Sequence, residues 1–245
     1  MSVVFHVVIP ARFQSSRFPG KLLMDLNGMT VLERVYRQAL LAKPKTITIA
    51  TDHAAIYENM VSIGANVLMT KSTHQTGTDR IAEVVDLVGF SDSDIIVNVQ
   101  GDEPFIPPQL IQQVAESLGQ TTAPMASLCW PLTSSEEASN PNVVKVVRDG
   151  QQHALYFSRS LIPFNRENPN LLKQVFRHIG LYAYRAGFLK ELVNLPVCEL
   201  EMIEVLEQLR VLSAGYRIKV DTACVAPQQD INTAEDLKKA CGFLG

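Results

Sequence analysis

The sequence predicts an α/β domain built on a doubly wound, mostly parallel sheet. One observation is the opening run Val3–Ile9, apolar except for His6, which suits a strand covered on both faces. A second is the alternation of short β-branched runs with amphipathic stretches through the first hundred or so residues, the pattern of βαβ crossovers. The third is size: 245 residues, 47% of them hydrophobic, supply one large core, about one and a half domains on length alone.

The elements follow in order. The Val3–Ile9 strand runs into a polar loop, Pro10 to Lys21. Thr30 then caps a helix over VLERVYRQALLAK. Val31, Val35, Ala39 and Ala42 share one face, and Glu33 stands where a capping-box acid belongs. Strands are expected at ITIA from Ile47, NVLMT from Asn66 and DIIVNVQ from Asp94, with helices after Asp52 and from about Thr78. PFIPPQL opens a further helix. MASLCW, NVVKVV, ALYFSR and GLYAYR then read as an antiparallel or mixed extension, separated by Asn140-Pro141, Asp149-Gly150 and a polar stretch from Asn165 to Lys173. One amphipathic helix around EMIEVLEQLRVL, a strand YRIKV and a helix from about Ala234 complete the chain. It reads as a single domain over 1–245: a first part to about 120, a lobe over about 121–215, and a C-terminal strand and helix from about 216.

Composition removes several function classes. A formal charge of −3 leaves no basic footprint for nucleic acid or an anionic membrane, so any phosphate chemistry must be local. Cys129, Cys198, Cys224 and Cys241 form no CxxC pair and argue against a disulfide scaffold or zinc ribbon. No stretch approaches the ~20 apolar residues of a membrane span. The N-terminus lacks the basic region of a signal peptide. A reduced, cytoplasmic setting without membrane insertion is expected.

In open α/β sheets ligands bind beyond the carboxyl ends of the strands. The first strand ends in PARFQSSRFPGK, which gathers Arg12, Arg17 and Lys21 beside Gly20, a set suited to a polyphosphate. It is no Walker loop, because Ser15 occupies the place of the first glycine, and no GxGxxG exists. Thr51-Asp52-His53 follows the second strand and HQTGTDR the third. There the Gly77-Thr78 backbone and Arg80 are placed to approach a base or ribose, although Thr78 alone would serve as a helix cap. NVQGDEP ends the fourth, with Asp102 positioned to hold Mg²⁺ against phosphates. Acidic turns are common, but one opposite a basic loop forms a constellation.

These segments, together with NPNVVKVV, ALYFSR, RHIGLYAYR and LEQLRVL in the same order, closely resemble the 3-deoxy-manno-octulosonate cytidylyltransferases, from Val3 to about Lys238. The resemblance implies a fold of the nucleotide-diphospho-sugar-transferase type with a smaller, mixed-sheet dimerisation lobe. It also implies Mg²⁺-dependent transfer of CMP from CTP to 3-deoxy-D-manno-octulosonate (Kdo), releasing pyrophosphate, in lipopolysaccharide assembly. Arg12, Lys21 and Asp102 would be catalytic. Ala11, Arg12, Arg17, Lys21, Thr51, Asp52, Gly77, Thr78 and Arg80 would line the nucleotide. Gln100, Arg159, His178, Tyr182, Glu207 and Gln208 would line the sugar acid, with Arg159 and His178 nearest its carboxylate. Read without the resemblance, the blander assignments come first: His178 a sheet histidine, Tyr182 a packing aromatic, and Glu207-Gln208 the wet face of a helix.

One departure stands out. Where that family usually reads VDTPED, this chain reads Ile231-Asn232-Thr233-Ala234-Glu235-Asp236, so Asn232 replaces the second metal-binding aspartate beside Asp102. An amide oxygen brings no charge, and weaker Mg²⁺ binding is expected unless Asp230 substitutes. The competing readings are transfer to 8-amino-3,8-dideoxy-octulosonate or to a sialic acid, and a CTP-binding homologue that has lost turnover. A homodimer is expected from the resemblance, with apolar strands such as GLYAYR and SLCW needing cover.

Overall fold

The computed structural model describes residues 3–13, 18–168, 172–228, 231 and 233–243. Arg17, Asp230 and Asn232, singled out above, lie outside the described residues. The central sheet takes β1 (Phe5–Ala11), β2 (Thr46–Thr51), β3 (Val67–Met69), β4 (Ile95–Asn98), β5 (Met125–Pro131), β8 (Phe176–Arg185) and β9 (Ile218–Thr222) in the order β3-β2-β1-β4-β8-β5-β9. All are parallel except β8, which runs antiparallel between β4 and β5. Strand order reverses between β1 and β4, and that switch opens a crevice at their carboxyl ends.

The expected two-sided burial of the first strand is observed: every residue of β1 is buried. Phe5, Val7, Ile9 and Ala11 face a core completed by α1 (Val31–Leu41), α2 (Ala54–Ser62), α4 (Pro108–Gly119) and α9 (Ala234–Phe243). Val8 faces a second core, under α3 (Gly77–Val88), α6 (Ala186–Leu192) and α8 (Gln208–Ser213). Alternate side chains of one strand thus anchor two helical layers. Among the described residues no helix is long and apolar enough to cross a membrane.

Thr30 caps α1 by accepting the Glu33 N–H at 3.1 Å, but the Glu33 carboxylate turns outward to Arg37 instead of closing a capping box. The complete box belongs to α3. Thr76 accepts the Asp79 N–H, and Asp79 accepts the Thr76 N–H. That helix therefore starts at Gly77, one residue before the expected Thr78, and leaves the Thr78 side chain free for other work.

Two sequence expectations are corrected. MASLCW and GLYAYR lie in strands of the central sheet, β5 and β8. Only β6 (Lys145–Arg148) and β7 (Ala154–Ser158), paired with the start of β8, form the antiparallel extension. The expected helix EMIEVLEQLRVL is two helices, α7 (Glu199–Glu204) and α8, broken where Val205 turns left-handed at φ 52°. A β-branched residue is unfavourable there, and the neighbours hold it. Glu201 grips Arg210 through two bonds of 2.8 and 2.6 Å, folding α7 back on α8. Glu204 accepts from the Ser158 hydroxyl and the Arg159 N–H, tying the break to β7.

Lys145 fastens the extension. Its buried ammonium donates to the carbonyls of Asn140, Val143 and Arg159 at 3.0, 2.6 and 2.5 Å, and burial lowers its pKa. Replacing it by Met strands those carbonyls. Lys145→Met is expected to cost about 2–3 kcal/mol in urea unfolding.

Candidate active site

The site grows from the loops after β1 and β4. After Phe13 the chain returns at Gly20, whose N–H donates to the Phe13 carbonyl at 2.9 Å. Gly20 sits at φ 72°, a left-handed conformation that glycine takes without strain. The following turn, Lys21–Leu23, buries Leu22 and swings Lys21 across to the β4 loop. There its ammonium lies 2.5 Å from Asp102 Oδ2 and 3.2 Å from the Ile231 carbonyl. The Ile231 N–H in turn donates to the Asp102 carbonyl at 3.1 Å, so the C-terminal chain reaches the same point.

Arg12 turns the other way, donating to the carbonyls of Gln75 and His74 at 2.6 and 2.9 Å, which pins the loop before α3 beside β1. Among the described residues its buried Nε meets no hydrogen-bond partner, and burial together with the nearby Arg80 charge lowers its pKa. Its direct partners are neutral carbonyls, and the carboxylates of Asp52, Asp79 and Glu207 offset only part of that lowering. Arg12, Lys21, Gln75, Gly77, Gln100 and Asp102 line a cavity of about 490 Å³. Arg12 and Gln75 also border a cavity of about 440 Å³ with Asp52 and His53, where the Phe13 ring stacks on His53 at 3.9 Å.

The remaining nucleotide candidates lie deeper. Arg80 is fully buried, bonded to Thr70 and at 2.7 Å to Asp52, so its guanidinium supports the ends of β2 and β3 and does not stand at the cavity edge as expected. Thr51 is buried and accepts the His53 N–H, shaping the turn into α2. Ala11 is the buried last residue of β1. Sequence reasoning missed Gln75 and Thr76, which line the large cavity. Gln75 stands just before the Thr76–Asp79 capping box and Thr76 opens it, which was the available signal.

A third cavity, about 170 Å³, adjoins the first through Gly77 and Gln100 and is walled by Thr78, Asn98, Tyr182, Tyr184, Glu207 and Gln208. Four of the six expected sugar-acid residues meet here. The break at Val205 places them: Glu207, leading into α8, accepts the Thr78 hydroxyl at 3.1 Å. Burial raises the Glu207 carboxyl, and the Thr78 bond partly offsets this. Burial also holds the Tyr182 and Tyr184 phenols protonated.

The other two differ from expectation. Arg159 lines neither this cavity nor the larger one. Its guanidinium donates to the carbonyls of Glu204, Pro141 and Val205, sealing the helix break. His178 lines a neighbouring cavity of about 210 Å³ with Glu103, Asn142, Arg177 and Gln228. Burial, then the charge of Arg177, pushes its pKa down to about 3, so it is a neutral ring and not a cation.

No group of three or more His, Cys, Asp or Glu able to hold a metal occurs among the described residues. Asp102 is the carboxylate lining the large cavity. That donor set suits a hard cation such as Mg²⁺, which takes one or two carboxylates and completes its shell with substrate oxygens and water.

Phosphate-seeking cations and one carboxylate at a switch-point crevice, beside a pocket rich in hydroxyl partners, define a nucleotidyltransferase-like α/β protein. Comparison with known proteins agrees. The family model described as Cytidylyltransferase matches residues 6–219. A Legionella pneumophila (strain Lens) protein named 3-deoxy-manno-octulosonate cytidylyltransferase is 63% identical over 97% of this chain and 95% of its own. One of the same name from Pseudoalteromonas translucida (strain TAC 125) is 48% identical over 98% of this chain and 97% of its own. The structure of CMP:2-keto-3-deoxy-manno-octonic acid synthetase complexed with CTP matches with a TM-score of 0.90 and 36% identity, covering 98% of each chain. A 4-diphosphocytidyl-2C-methyl-D-erythritol synthase, 13% identical with a TM-score of 0.67 over 100% of each chain, shares the fold. The chain belongs to the cytidylyltransferase family, among the 3-deoxy-manno-octulosonate cytidylyltransferases.

Because His178 is depressed in the folded state, its contribution to stability is complete above its ordinary pKa near 6.5 and declines as pH falls toward 3. Replacing it by Gln removes that dependence. Between pH 6 and 4 the unfolding free energy of the parent is expected to fall more steeply than that of His178→Gln, by roughly 1 kcal/mol per pH unit in denaturant titrations.

Proposed function

We propose that the chain transfers CMP from CTP to 3-deoxy-D-manno-octulosonate, giving CMP-Kdo and pyrophosphate in the cytoplasm for lipopolysaccharide assembly. The observation that carries this is the meeting of Lys21 and Asp102, 2.5 Å apart, between the loops after β1 and β4 in a cavity also lined by Arg12. The names of the relatives support the two substrates, and the CTP complex of the similar structure supports the nucleotide.

The chemistry is an in-line displacement. The anomeric hydroxyl oxygen bonds to the α-phosphorus, the bond to the bridging oxygen of the β-phosphate breaks with its electron pair leaving on pyrophosphate, and the hydroxyl proton passes to water. Little covalent work falls to the protein, so rate comes from positioning and charge. Lys21 would leave Asp102 for the phosphate oxygens, while Arg12 would keep its carbonyl partners and add a fixed positive charge at the leaving group. Mg²⁺, held by Asp102 with the phosphates, would neutralise charge on the transferring group. The neighbouring pocket suits a polyol: Glu207 and Gln100 accept from or donate to hydroxyls, and the two protonated tyrosines donate.

The lobe is assigned to dimerisation. No residue of α7 is buried, and Val197, Leu200, Met202, Ile203 and Val205 are exposed in one short run, with Leu155 of β7 exposed as well. GLYAYR and SLCW, expected to need cover, lie largely inside the central sheet, so this run is the apolar surface that a second copy would bury.

Two experiments test these assignments. With CTP, Mg²⁺ and Kdo, its 8-amino analogue or N-acetylneuraminate, pyrophosphate release is expected with Kdo. Lys21→Ala is expected to lower kcat by about 10²–10³. Failure with Kdo alongside turnover of another acid would reassign the substrate; thermal stabilisation by CTP without turnover of any would indicate a binding protein. In sedimentation, the parent is expected as a dimer and Ile203→Asp as a monomer; a monomeric parent would end the dimer assignment.

A further inference from the structure

We propose that Ser127, which contacts neither phosphate groove nor sugar pocket, is a positioning residue: its hydroxyl holds His178 as the Nε2–H tautomer, leaving Nδ1 to accept a hydroxyl of the acceptor sugar. The substrate half of this inference rests on the function proposed above.

Ser127 is fully buried on β5 where the pairing with β8 is irregular. Ser127 opposes Tyr182, but Leu128 opposes Ile179, so Gly180 and Leu181 have no opposite residue. The bulge turns the Ile179 and Leu181 carbonyls toward Ser127, each 3.0 Å from its Oγ, and brings His178 Nε2 to 2.9 Å. A hydroxyl has one proton to give, and carbonyl oxygens only accept. Donation from Ser127 to the ring would deprive both carbonyls. The arrangement that serves more groups sends the serine proton to a carbonyl and receives a proton from Nε2.

The neutral ring then has one lone-pair nitrogen, Nδ1. Phe157 meets the ring edge-on at a centroid distance of 4.9 Å and Tyr182 at 5.3 Å, which restricts its rotation. The ring lines the cavity that also holds Arg177 and Asn142, and its ring neighbour Tyr182 walls the sugar pocket, so the acceptor would reach past Tyr182 to Nδ1. Arg177, whose guanidinium lies 3.7 Å from Glu137, is the cation beside the ring, and the neutral His178 brings no charge of its own. His178 is left to discriminate a hydroxyl. An acceptor nitrogen fixed by a buried hydroxyl favours a donor at that position and leaves a deoxy analogue unpaired.

The test is a long-range ¹H–¹⁵N spectrum of the imidazoles in uniformly ¹⁵N-labelled protein at pH 7. The chain has five histidines, and His178 is assigned by its loss in His178→Gln. The parent ring is expected neutral with the proton on Nε2, and Ser127→Ala is expected to divide it between tautomers. In steady-state assays Ser127→Ala should raise KM for the sugar acid about five- to tenfold while KM for CTP changes less than about twofold. Ser127→Thr, which keeps the hydroxyl, should restore the tautomer. A parent ring protonated or carrying its proton on Nδ1 would overturn the proposal, as would an unaltered tautomer in Ser127→Ala. Equal rises in both KM values would reduce Ser127 to a structural role. The spectrum needs no turnover, so absence of activity with Kdo would strike the substrate half while the tautomer result stood on its own.

Discussion

Burial of β1 on both faces, with parallel neighbours on both edges, is the constraint from which the site follows. A strand so enclosed cannot shift register without turning Phe5, Val7, Ile9 and Ala11 into the wrong core. Its end is therefore fixed relative to β2 and β4, and so are the loops that leave those three ends. Arg12 is the first residue beyond β1, and Gln100 and Asp102 follow β4 closely. The functional side chains are on loops, yet each begins within a few residues of a strand that cannot move.

Charge is divided between groups that are used up and groups that are held ready. Arg80 and Lys145 are fully buried and bonded, the first to Asp52 and Thr70, the second to three carbonyls. Removing their partners would leave an uncompensated buried charge, so they maintain structure. Lys21 differs because the cation itself, and not only its partner Asp102, is partly exposed and lines the cavity. On the proposed reading, a polyphosphate arriving there would offer the lysine an equivalent anion and free the carboxylate to hold a cation. The pair can be exchanged without stranding either charge.

The layered α/β architecture was legible because its signals are local. A continuous apolar run marks a strand covered twice, and Thr30 marks a helix start, since the Glu33 N–H needs an acceptor. The grouping of Arg12, Lys21 and Asp102 was legible too, because the sheet forces strand ends together. What escaped depended on contacts distant in sequence. Nothing in EMIEVLEQLRVL announces a left-handed Val205. The break is maintained by Arg159 and Ser158, some forty-five residues away, acting on Glu204 and Val205. The same contacts explain why Arg159, a plausible carboxylate partner by residue type, lines neither the sugar pocket nor the larger cavity. MASLCW and GLYAYR were assigned to the extension because an antiparallel strand inserted between parallel ones has no local signature; β-branched and aromatic residues suit either place.

The helix break links the lobe to the sugar pocket. A continuous helix through residues 199–213 would carry Glu204, Glu207 and Glu201 along one rod, with no means of serving three directions. With Val205 left-handed, Glu204 reaches back to β7, Glu207 meets Thr78 on α3, and Glu201 closes on Arg210. The uncovered apolar run of α7 stands immediately before this break. A second copy packed on that run would press on the segment that sets Glu207 and Gln208 against the pocket. The proposed assembly would then add to the hold of Glu201, Ser158 and Arg159 around the left-handed Val205, and the acceptor pocket would be coupled to a surface outside it.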